Sequence, residues 1–383
     1  MMAASGYGPS ASREPAIHTS TRSRPTLTRC HARAEGGFVL VIVLAVLVVL
    51  ALLAAATATS AERAIRATQA DTNRFQSELT MAGTRETLLF MLTTQRQTVA
   101  GLTVNESDAK AQMAMSLDDP DGFTALPVGN EIRLDGTPYK GLEDSYFSLQ
   151  DDRGLLSVNW APPMLRQAFY KSLGVPGDQW DGLEAKRLDY QDADDLHRLN
   201  GAEKDRYGQA GLPPPTNRTL ATPLELRRIL GWNDILTGTD DAELLSIFTM
   251  TRGADLNINT APYPVLALLP ELTPENATRM VELRRTNPFL STFQAQQDFG
   301  IGTTLEDGLA LFAKPSGNLI LWDHHSGARH LLHWTLTPFE VNGPPWRIDY
   351  EVILPRGNEP DQAVVGSPST PLFTPPDPSG KQP

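Results

Sequence analysis

A dense run of acidic residues is the part of this sequence best suited to chemistry. Asp189, Asp192 and Asp194 lie close together, and Asp195 and Glu203 follow shortly after them. Ca²⁺ takes six to eight oxygen ligands, which carboxylates on an irregular loop can supply. The spacing lacks the loop glycine and the terminal glutamate of an EF-hand, and acidic runs are also typical of solvated surfaces. The run therefore predicts either a cation site, with Asp189, Asp192, Asp194 and Glu203 as ligands, or a charged exposed face.

Four histidines form a second cluster of potential metal ligands, at His324, His325, His330 and His333. Zinc is the metal that such a cluster suggests. Side chains alternate between the two faces of a strand, so His330 and His333, three residues apart, face opposite sides of a sheet. A hairpin turn followed by an ordinary strand therefore explains the cluster better than a zinc site does.

Recognisable catalytic signatures are absent from the sequence. It contains no His-Glu-x-x-His pair, no Gly-x-Ser-x-Gly elbow and no phosphate-binding Gly-Lys-Ser/Thr loop. The single cysteine, Cys30, excludes an intrachain disulfide. The net charge of −12 repels phosphate backbones, so nucleic acid is not an expected partner. We predict a protein that is not an enzyme.

The elements that position these residues begin with a basic leader and a long apolar segment. Residues 1–37 carry five arginines against two glutamates and end in Gly36-Gly37. An apolar run from Phe38 to Ala58 follows, with Thr57 as its one polar residue. Its 21 residues reach about 31 Å as a helix, close to the thickness of a bilayer core. Because the arginines precede it, we expect the N-terminus in the cytoplasm and the body outside.

The apolar segment admits two interpretations. A cleaved secretory signal would end in a small-residue site, which Ala54-Ala55-Ala56 provides. However, there is neither glycine nor proline from Phe38 to Ala82, and apolar residues continue at helical spacing beyond the membrane segment. A single helix over residues 38–100, with 38–58 transmembrane and the remainder amphipathic, accounts for both features.

A glycine-terminated basic leader before a long half-apolar helix resembles a type IV prepilin or pseudopilin. The resemblance implies that a prepilin peptidase cuts between Gly37 and Phe38 and methylates the new amine of Phe38. Most pilins carry a glutamate at the fifth mature position, where this sequence has Ile42. In those filaments the carboxylate pairs with the terminal amine of the subunit ahead, and an unpaired carboxylate in hydrocarbon is costly. Ile42 therefore points to a tip subunit, which has no subunit ahead of it.

The pattern of the body predicts an α+β, pilin-like fold with a small antiparallel sheet interrupted by an inserted helical domain. We assign residues 101–161 and 314–356 to the αβ domain, 162–313 to the insert, and 357–383 to a disordered proline-rich tail. Strand patterns support this division. The predicted strands are Glu131–Leu134, Tyr146–Leu149, Leu155–Trp160, Asn318–Trp322, His330–Thr337 and Trp346–Leu354.

Two segments of the insert carry a more specific resemblance. They are LDYQDADDLHRLNGAEKDRYGQAGLPPPTNRTLATPLELRRILGW, from Leu188 to Trp232, and LNINTAPYPVLALLP, from Leu256 to Pro270. Together they resemble the K-type minor pseudopilins of type II secretion systems, over residues 36–355 in order. Tyr190 departs from the usual tryptophan, and Lys204 stands where an acid often follows Gly-Ala-Glu.

This resemblance implies a scaffold at the tip of the periplasmic pseudopilus, assembled with other minor pseudopilins on the major pseudopilin filament and anchored in the inner membrane. It also favours structural Ca²⁺ at the acidic run. Two alternatives remain. The segment from Asn257 to Arg285 resembles a helix-hairpin-helix unit, which suggests a membrane-tethered DNA receptor, although its hairpin lacks glycine and Arg279, Arg284 and Arg285 suit a solvated helix. A calcium-dependent hydrolase is supported by the acidic cluster alone.

Overall fold

The computed structural model describes residues 36–104, 126–302, 308–324, 328–341, 343–355 and 364–373. The leader up to residue 35 and the tail at 357–363 and 374–383 lie outside these residues, so the predictions made for them stay predictions. The chain divides into two compact units, Met1–Ala67 and Thr68–Pro383.

The described part of the first unit is helical and belongs to α1, which spans Gly36–Thr94. The predicted uninterrupted helix is confirmed, and it ends before residue 100 because the chain turns into a short hairpin of β1 (Gln97–Thr98) and β2 (Gly101–Leu102). Every side chain from Phe38 to Ala58 is exposed. Within the described residues, α1 is the one helix long and apolar enough to cross a membrane.

In the second unit, five antiparallel strands form a sheet in the order β11-β10-β9-β4-β3. The strands are β3 (Asp135–Lys140), β4 (Ser145–Asp151), β9 (Ser316–Asp323), β10 (Ala328–Leu336) and β11 (Trp346–Pro355). The predicted strand at Glu131–Leu134 is wrong, because Ile132 forms an isolated bridge to Leu102 in β2 instead of joining the sheet. The predicted α+β fold class is confirmed.

The insert lies between two strands that are neighbours in this sheet. β4 pairs with β9 from Ser145 opposite Asp323 to Asp151 opposite Gly317, so residues 152–315 form one long excursion from a hairpin. Its longer elements are α2 (Pro163–Ser172), α3 (Trp180–Asp189), α4 (Lys204–Gln209), α5 (Trp232–Ile235), α6 (Asp241–Ile247), α7 (Tyr263–Leu266), α8 (Pro274–Leu283) and α9 (Thr292–Phe299). Thr273 and Ser291 cap α8 and α9 by accepting hydrogen bonds from backbone N–H groups.

Short parallel strand pairs complete the insert and move its boundary. β5 (Leu156–Ser157) pairs with β6 (Phe248–Thr249), and β7 (Leu256–Asn257) pairs with β8 (Leu309–Ala310). The sequence pattern predicts that Leu155–Trp160 belongs to the pilin-like domain, but its strand β5 pairs with β6 of the insert. The insert therefore begins at residue 152 and not at 162.

Two apolar cores hold the second unit. The C-terminal part of α1 packs Leu88 and Leu92 against one face of the sheet, which contributes Phe147 and Trp334. The insert has a separate core built around Trp232, Tyr170 and the surrounding helices. On the other face of the sheet, Leu331 and Leu354 contact Leu245 of α6. The sheet is thus the middle layer between the C-terminal part of α1 and the insert.

Residues 364–373 are ordered, contrary to the prediction of a disordered tail for this stretch. Val365 pairs with Tyr139 of β3, and a short 3₁₀ turn at Pro371–Phe373 follows. Phe373 is buried and stacks on Phe147 with ring centroids 5.6 Å apart. An aromatic side chain that can enter the core supplies burial energy that the proline-rich composition did not indicate.

Asp151 fixes the insert at the point where the chain leaves the sheet. Its buried carboxylate accepts hydrogen bonds from Asn257 Nδ2 at 3.0 Å, Thr260 Oγ1 at 2.8 Å and the Lys314 backbone N–H at 2.8 Å. These donors come from separate parts of the insert. Burial raises the pKa of Asp151 to about 6, against the effect of these hydrogen bonds.

The next residue, Asp152, joins the insert to the far strands of the sheet. Its carboxylate is fully buried and accepts from Ser316 Oγ of β9 at 2.6 Å and from Thr249 Oγ1 of β6 at 2.9 Å. His333 Nε2 of β10 lies 2.9 Å from Asp152, and His333 Nδ1 lies 2.9 Å from Asp349 Oδ2 of β11. Three strands and the insert therefore meet at one imidazole between two carboxylates.

The charges of this network reinforce one another. Burial lowers the pKa of His333, but the Asp152 carboxylate and the hydrogen bonds to both aspartates outweigh it and raise the pKa to about 9. Burial opposes ionisation of Asp152 in turn, and the His333 imidazolium holds the pKa of Asp152 below its ordinary value. His333 is thus a buried cation with a partner on each ring nitrogen.

We expect the stability of the folded body to fall as pH rises through about 9. The folded state keeps the His333 proton, whereas the unfolded chain releases it near pH 6.5, so the stabilisation is complete below 6.5 and lost as pH rises through the folded pKa. Urea unfolding of the purified protein across this range should show a loss on the order of 2–3 kcal/mol.

The matched variants are His333→Gln and His330→Gln on the same strand. His333→Gln should remove the decline between about pH 6.5 and 9, while His330→Gln should retain it. An unchanged decline in His333→Gln would contradict the assignment of the buried proton.

Candidate metal centre

Three of the four predicted ligands meet at one site in the insert. Asp189 is the last residue of α3, Asp192 follows in the next turn, and Glu203 immediately precedes α4. Carboxylate oxygens of the three lie within 4.8 Å of one another. The side chains of Asp189 and Glu203 are buried, and that of Asp192 is partly buried. A loop that reverses direction between α3 and α4 is what brings them together.

The backbone conformation of this loop lets the chain approach the Asp189 carboxylate closely. Asn200 adopts a left-handed conformation with φ of 63°, which asparagine tolerates better than most residues. At Gly201 a Cβ atom would lie 1.9 Å from Asp189 Oδ2, so any side chain there would displace the carboxylate. The Asn200-Gly201 pair thus lets the chain pass directly over Asp189 and deliver Glu203 to it.

The site concentrates negative charge that its own hydrogen bonds do not satisfy. Both Glu203 carboxylate oxygens and Asp192 Oδ1 are buried without a hydrogen-bond partner. Burial, followed by the charges of Asp189, Asp192 and Asp195, raises the pKa of Glu203 to about 7. A buried carboxylate without donors is unfavourable unless a cation compensates it. The donor set therefore fits a hard cation such as Ca²⁺, which takes carboxylate oxygens.

Arg198 supplies part of that compensation, which sequence reasoning missed. Its guanidinium Nη1 lies 2.7 Å from Asp189 Oδ1 and also contacts Asp192 Oδ2. These contacts leave Glu203 without a positive partner. A bound cation would hold Asp189, Asp192 and Glu203, and would share the two aspartates with Arg198. The spacing of residues in the sequence does not predict this contact, because an arginine among acidic residues is also common on exposed surfaces.

Asp194, the fourth predicted ligand, does not join the group. Its Oδ1 accepts a hydrogen bond from the Leu196 backbone N–H at 2.9 Å, which forms a local turn, and the residue is exposed. Short acidic side chains commonly bond their own backbone two residues on. The alternation of acids along the run did not reveal which of them faces inward.

The histidines do not form a comparable site among the described residues. His324 Nε2 lies 2.7 Å from the Tyr146 hydroxyl, whereas His333 lies in the network with Asp152. His325 is outside the described residues. In the part of the chain that the structure describes, the acidic triad is the one group of three or more such side chains arranged to hold a metal.

The other predicted site residues lie on α1. Gly37 is in its first turn, while Phe38 and Ile42 are exposed along the apolar run. No residue from Phe38 to Ala61 has an ionisable side chain. Their predicted roles in processing and in tip position stay predictions.

Arg284, counted above as part of a solvated helix, is instead buried. Its Nη1 donates to the Ile258 and Ala261 carbonyls at 3.0 and 2.6 Å, and its Nη2 lies 3.7 Å from Asp135 Oδ2 of β3. Arg279 packs on the ring of Phe299. Arg284 therefore links the helix-hairpin-helix-like segment to the sheet, and it is not available to a phosphate.

Comparison with known families shows what the insert is similar to. Residues 157–237 and 256–311 match two family models that are both described as type II secretion system protein K. Over these two segments the chain is similar to the type II secretion system protein K family. Both matched segments lie inside the insert, which contains the acidic triad.

Two other comparisons were made, with solved structures and with curated proteins. A solved structure of the GspK-GspI-GspJ complex from the enterotoxigenic Escherichia coli type 2 secretion system is similar over 65% of this chain and 92% of that chain. The sequences are 14% identical and the TM-score is 0.40. A search of curated proteins gave no match.

The geometry predicts different effects for acids of the same run. Ca²⁺ at about 100 times its dissociation constant should stabilise the wild-type protein by about 2.7 kcal/mol. Glu203→Gln should abolish this stabilisation. In the presence of a chelator it should raise the unfolding temperature, because it removes a buried charge that has no partner. Thermal unfolding with and without Ca²⁺ measures both effects.

Asp194→Asn is the matched control, because it neutralises an exposed acid of the same run whose carboxylate is not part of the triad. It should respond to Ca²⁺ as the wild type does. Equal responses of all three proteins to Ca²⁺ would exclude a metal at the triad.

Proposed function

We propose that this protein is a minor pseudopilin at the tip of the type II secretion pseudopilus. There it would nucleate or cap the filament together with other minor pseudopilins, for export of folded proteins across the outer membrane. The observation that carries the proposal is the match of the protein K family to both halves of the insert.

The position of the insert supports a terminal place in a filament. Residues 152–315 leave and re-enter the sheet between the adjacent strands β4 and β9, so a domain larger than the sheet begins and ends where these two strands meet. Subunits in a packed shaft have neighbours above and below them. A domain of this size is readily accommodated where no subunit lies ahead.

Ile42 supports the same position. No side chain from Phe38 to Ala58 carries a charge, so the membrane segment lacks the carboxylate that pairs, in resembling filaments, with the terminal amine of the subunit ahead. A subunit at the tip has no terminal amine ahead of it with which to pair. An apolar residue at this position avoids the cost of an unpaired charge in hydrocarbon.

The N-terminal segment supports anchoring in the inner membrane with a single pass. The arginines precede the apolar run, which favours a cytoplasmic N-terminus and a periplasmic body. We propose that a prepilin peptidase removes residues 1–37 on the cytoplasmic side, and that Phe38 becomes the methylated N-terminus. The helix then remains attached to the body as a permanent anchor.

We propose two kinds of partner. The similar solved structure is a complex of GspK with GspI and GspJ. By analogy, this chain would assemble with the two corresponding minor pseudopilins and cap the major pseudopilin filament. Within this assembly, Ca²⁺ at the triad would act as a structural staple for the loop between α3 and α4, a role that disulfides cannot fill in a chain with one cysteine.

A DNA receptor is the alternative that the sequence left open, and the structure disfavours it. Arg284 of the helix-hairpin-helix-like segment is buried, where it contacts two backbone carbonyls and Asp135. Phosphate binding at such hairpins uses exposed backbone amides and cations. Retention of the protein on DNA that weakens with salt would support this alternative over a secretion role.

Processing provides a first test. Gly37→Ala should prevent cleavage, so the protein isolated from membranes would keep the mass of the full chain and secretion would fall to background. The wild type should begin at Phe38. A mature N-terminus near Thr57 and release from the membrane would identify a secretory signal instead, and would overturn the proposal.

The tip position provides a second test. Ile42→Glu should impair secretion, because it places a carboxylate in the apolar run without a partner ahead, at a cost of about 3 kcal/mol. Ile42→Leu, which keeps the position apolar, should secrete as the wild type does. Full secretion by Ile42→Glu would show that a partner amine is present, which contradicts a terminal position.

A further inference from the structure

Arg198 bonds half of the carboxylate oxygens of the acidic triad. Its Nη1 donates to Asp189 Oδ1 at 2.7 Å and contacts Asp192 Oδ2, and its backbone N–H donates to Asp189 Oδ2 at 3.2 Å. The other three oxygens, Asp192 Oδ1 and both of Glu203, are buried without a hydrogen-bond partner. The triad by itself is therefore compensated on one side by a guanidinium and uncompensated on the other.

Ion pairs, and not apolar packing, hold Arg198 at the triad. Its side chain is 42% exposed, and the nearby Leu196 and Leu199 are 75% and 89% exposed. Side chains that stay in water contribute little burial energy to the loop between α3 and α4. Arginine is not deprotonated in proteins. Arg198 is thus a permanent positive charge that the two aspartates keep in place.

A cation bound at the triad would meet this charge. The three carboxylates carry three negative charges when all are ionised, and Arg198 reduces the sum to two. The guanidinium and the cation would share the same two aspartates, so their like charges would repel one another at short range. Calcium sites are tuned over many orders of magnitude in affinity partly through the number of ligand charges. Arg198 therefore acts against a tightly bound metal.

The backbone already positions both aspartates without the guanidinium. Asp189 is the last residue of α3, and its side chain is fully buried. The Asp192 N–H donates to the Leu188 carbonyl at 3.1 Å, which fixes the turn that follows the helix. Preparing the aspartates for a metal is therefore not a task that requires Arg198. Its effect on the site is mainly that of its charge.

We propose that Arg198 is a built-in counter-cation, which stabilises the loop between α3 and α4 before a metal binds and lowers the affinity of the triad for Ca²⁺. This inference rests on the proposed function, which makes Ca²⁺ the metal of the triad and places the body in the periplasm. A site tuned in this way fills at the higher Ca²⁺ concentrations outside the cytoplasm and keeps its loop folded before it is filled.

Calorimetric titration of the full chain in detergent with Ca²⁺ tests the proposal. The wild type should bind with a dissociation constant above about 10⁻⁵ M, weaker than cytosolic Ca²⁺ buffers. Arg198→Gln removes the charge and should bind at least about tenfold more tightly, which corresponds to about 1.4 kcal/mol. In a chelator, its unfolding temperature should fall by about 2 °C or more. Arg198→Lys retains the charge and should stay within about threefold of the wild-type affinity, about 0.6 kcal/mol.

Arg206→Gln is the matched control. Arg206 is an exposed residue of α4, three positions after Glu203, and its removal changes the net charge by the same amount. This variant should bind Ca²⁺ as the wild type does. Equal tightening by Arg206→Gln and Arg198→Gln would show a general effect of net charge, and would overturn the specific role of Arg198.

Each other outcome has a distinct meaning. Unchanged or weaker Ca²⁺ binding by Arg198→Gln, an unchanged unfolding temperature in chelator, or a wild-type dissociation constant below about 10⁻⁵ M overturns the inference and leaves the metal site standing. Equal tightening by Arg198→Lys also overturns it. If Arg198→Gln unfolds in chelator, Ca²⁺ should restore the fold, and failure to do so contradicts the inference. If the wild type binds no Ca²⁺, the proposed metal fails and the inference fails with it.

Discussion

The structure depends on two adjacent buried carboxylates. A domain of residues 152–315 must leave a sheet and return to it between strands that are themselves paired, without pulling them apart. Asp151 gathers donors from the returning parts of the insert, and Asp152 gathers donors from β9, β10 and β6. Buried carboxylates are tolerable only when they are fully paired, so this junction has one geometry in which it is stable. That requirement sets the orientation of the insert on the sheet.

The acidic triad shows the opposite condition. The Asp151–Asp152 junction is satisfied by protein donors, whereas Glu203 is buried beside Asp189 and Asp192 with neither of its oxygens bonded. The backbone conformation at Asn200 and Gly201 brings these acids together, although their negative charges repel one another. Such an arrangement is unfavourable without a cation and favourable with one. The contrast between the two acidic sites is the main physical argument for a metal in the insert.

Local patterns in the sequence predicted the elements but not the pairings between them. The long helix of Gly36–Thr94 follows from the absence of glycine and proline between Phe38 and Ala82, and four of the six predicted strands overlap strands of the main sheet. Glu131–Leu134 failed because a single bridge satisfied Ile132, and Leu155–Trp160 joined the insert because its partner Phe248–Thr249 lies far along the chain. The sequence likewise did not show which acidic residues of the run face the candidate metal site. Asp194 bonds its own backbone, while Glu203 reaches the site through a reversal of the loop.

The sequence by itself determined the membrane-length helix, the α+β class and the similarity to protein K, because these depend on composition, periodicity and motifs that lie within short segments. Only the tertiary structure decided that Arg284 is buried, that His333 carries a proton between Asp152 and Asp349, and that Phe373 returns to the core. Each of these depends on partners more than a hundred residues away or on an adjacent strand. No local pattern encodes such neighbours, because burial and pairing arise only when distant segments pack together.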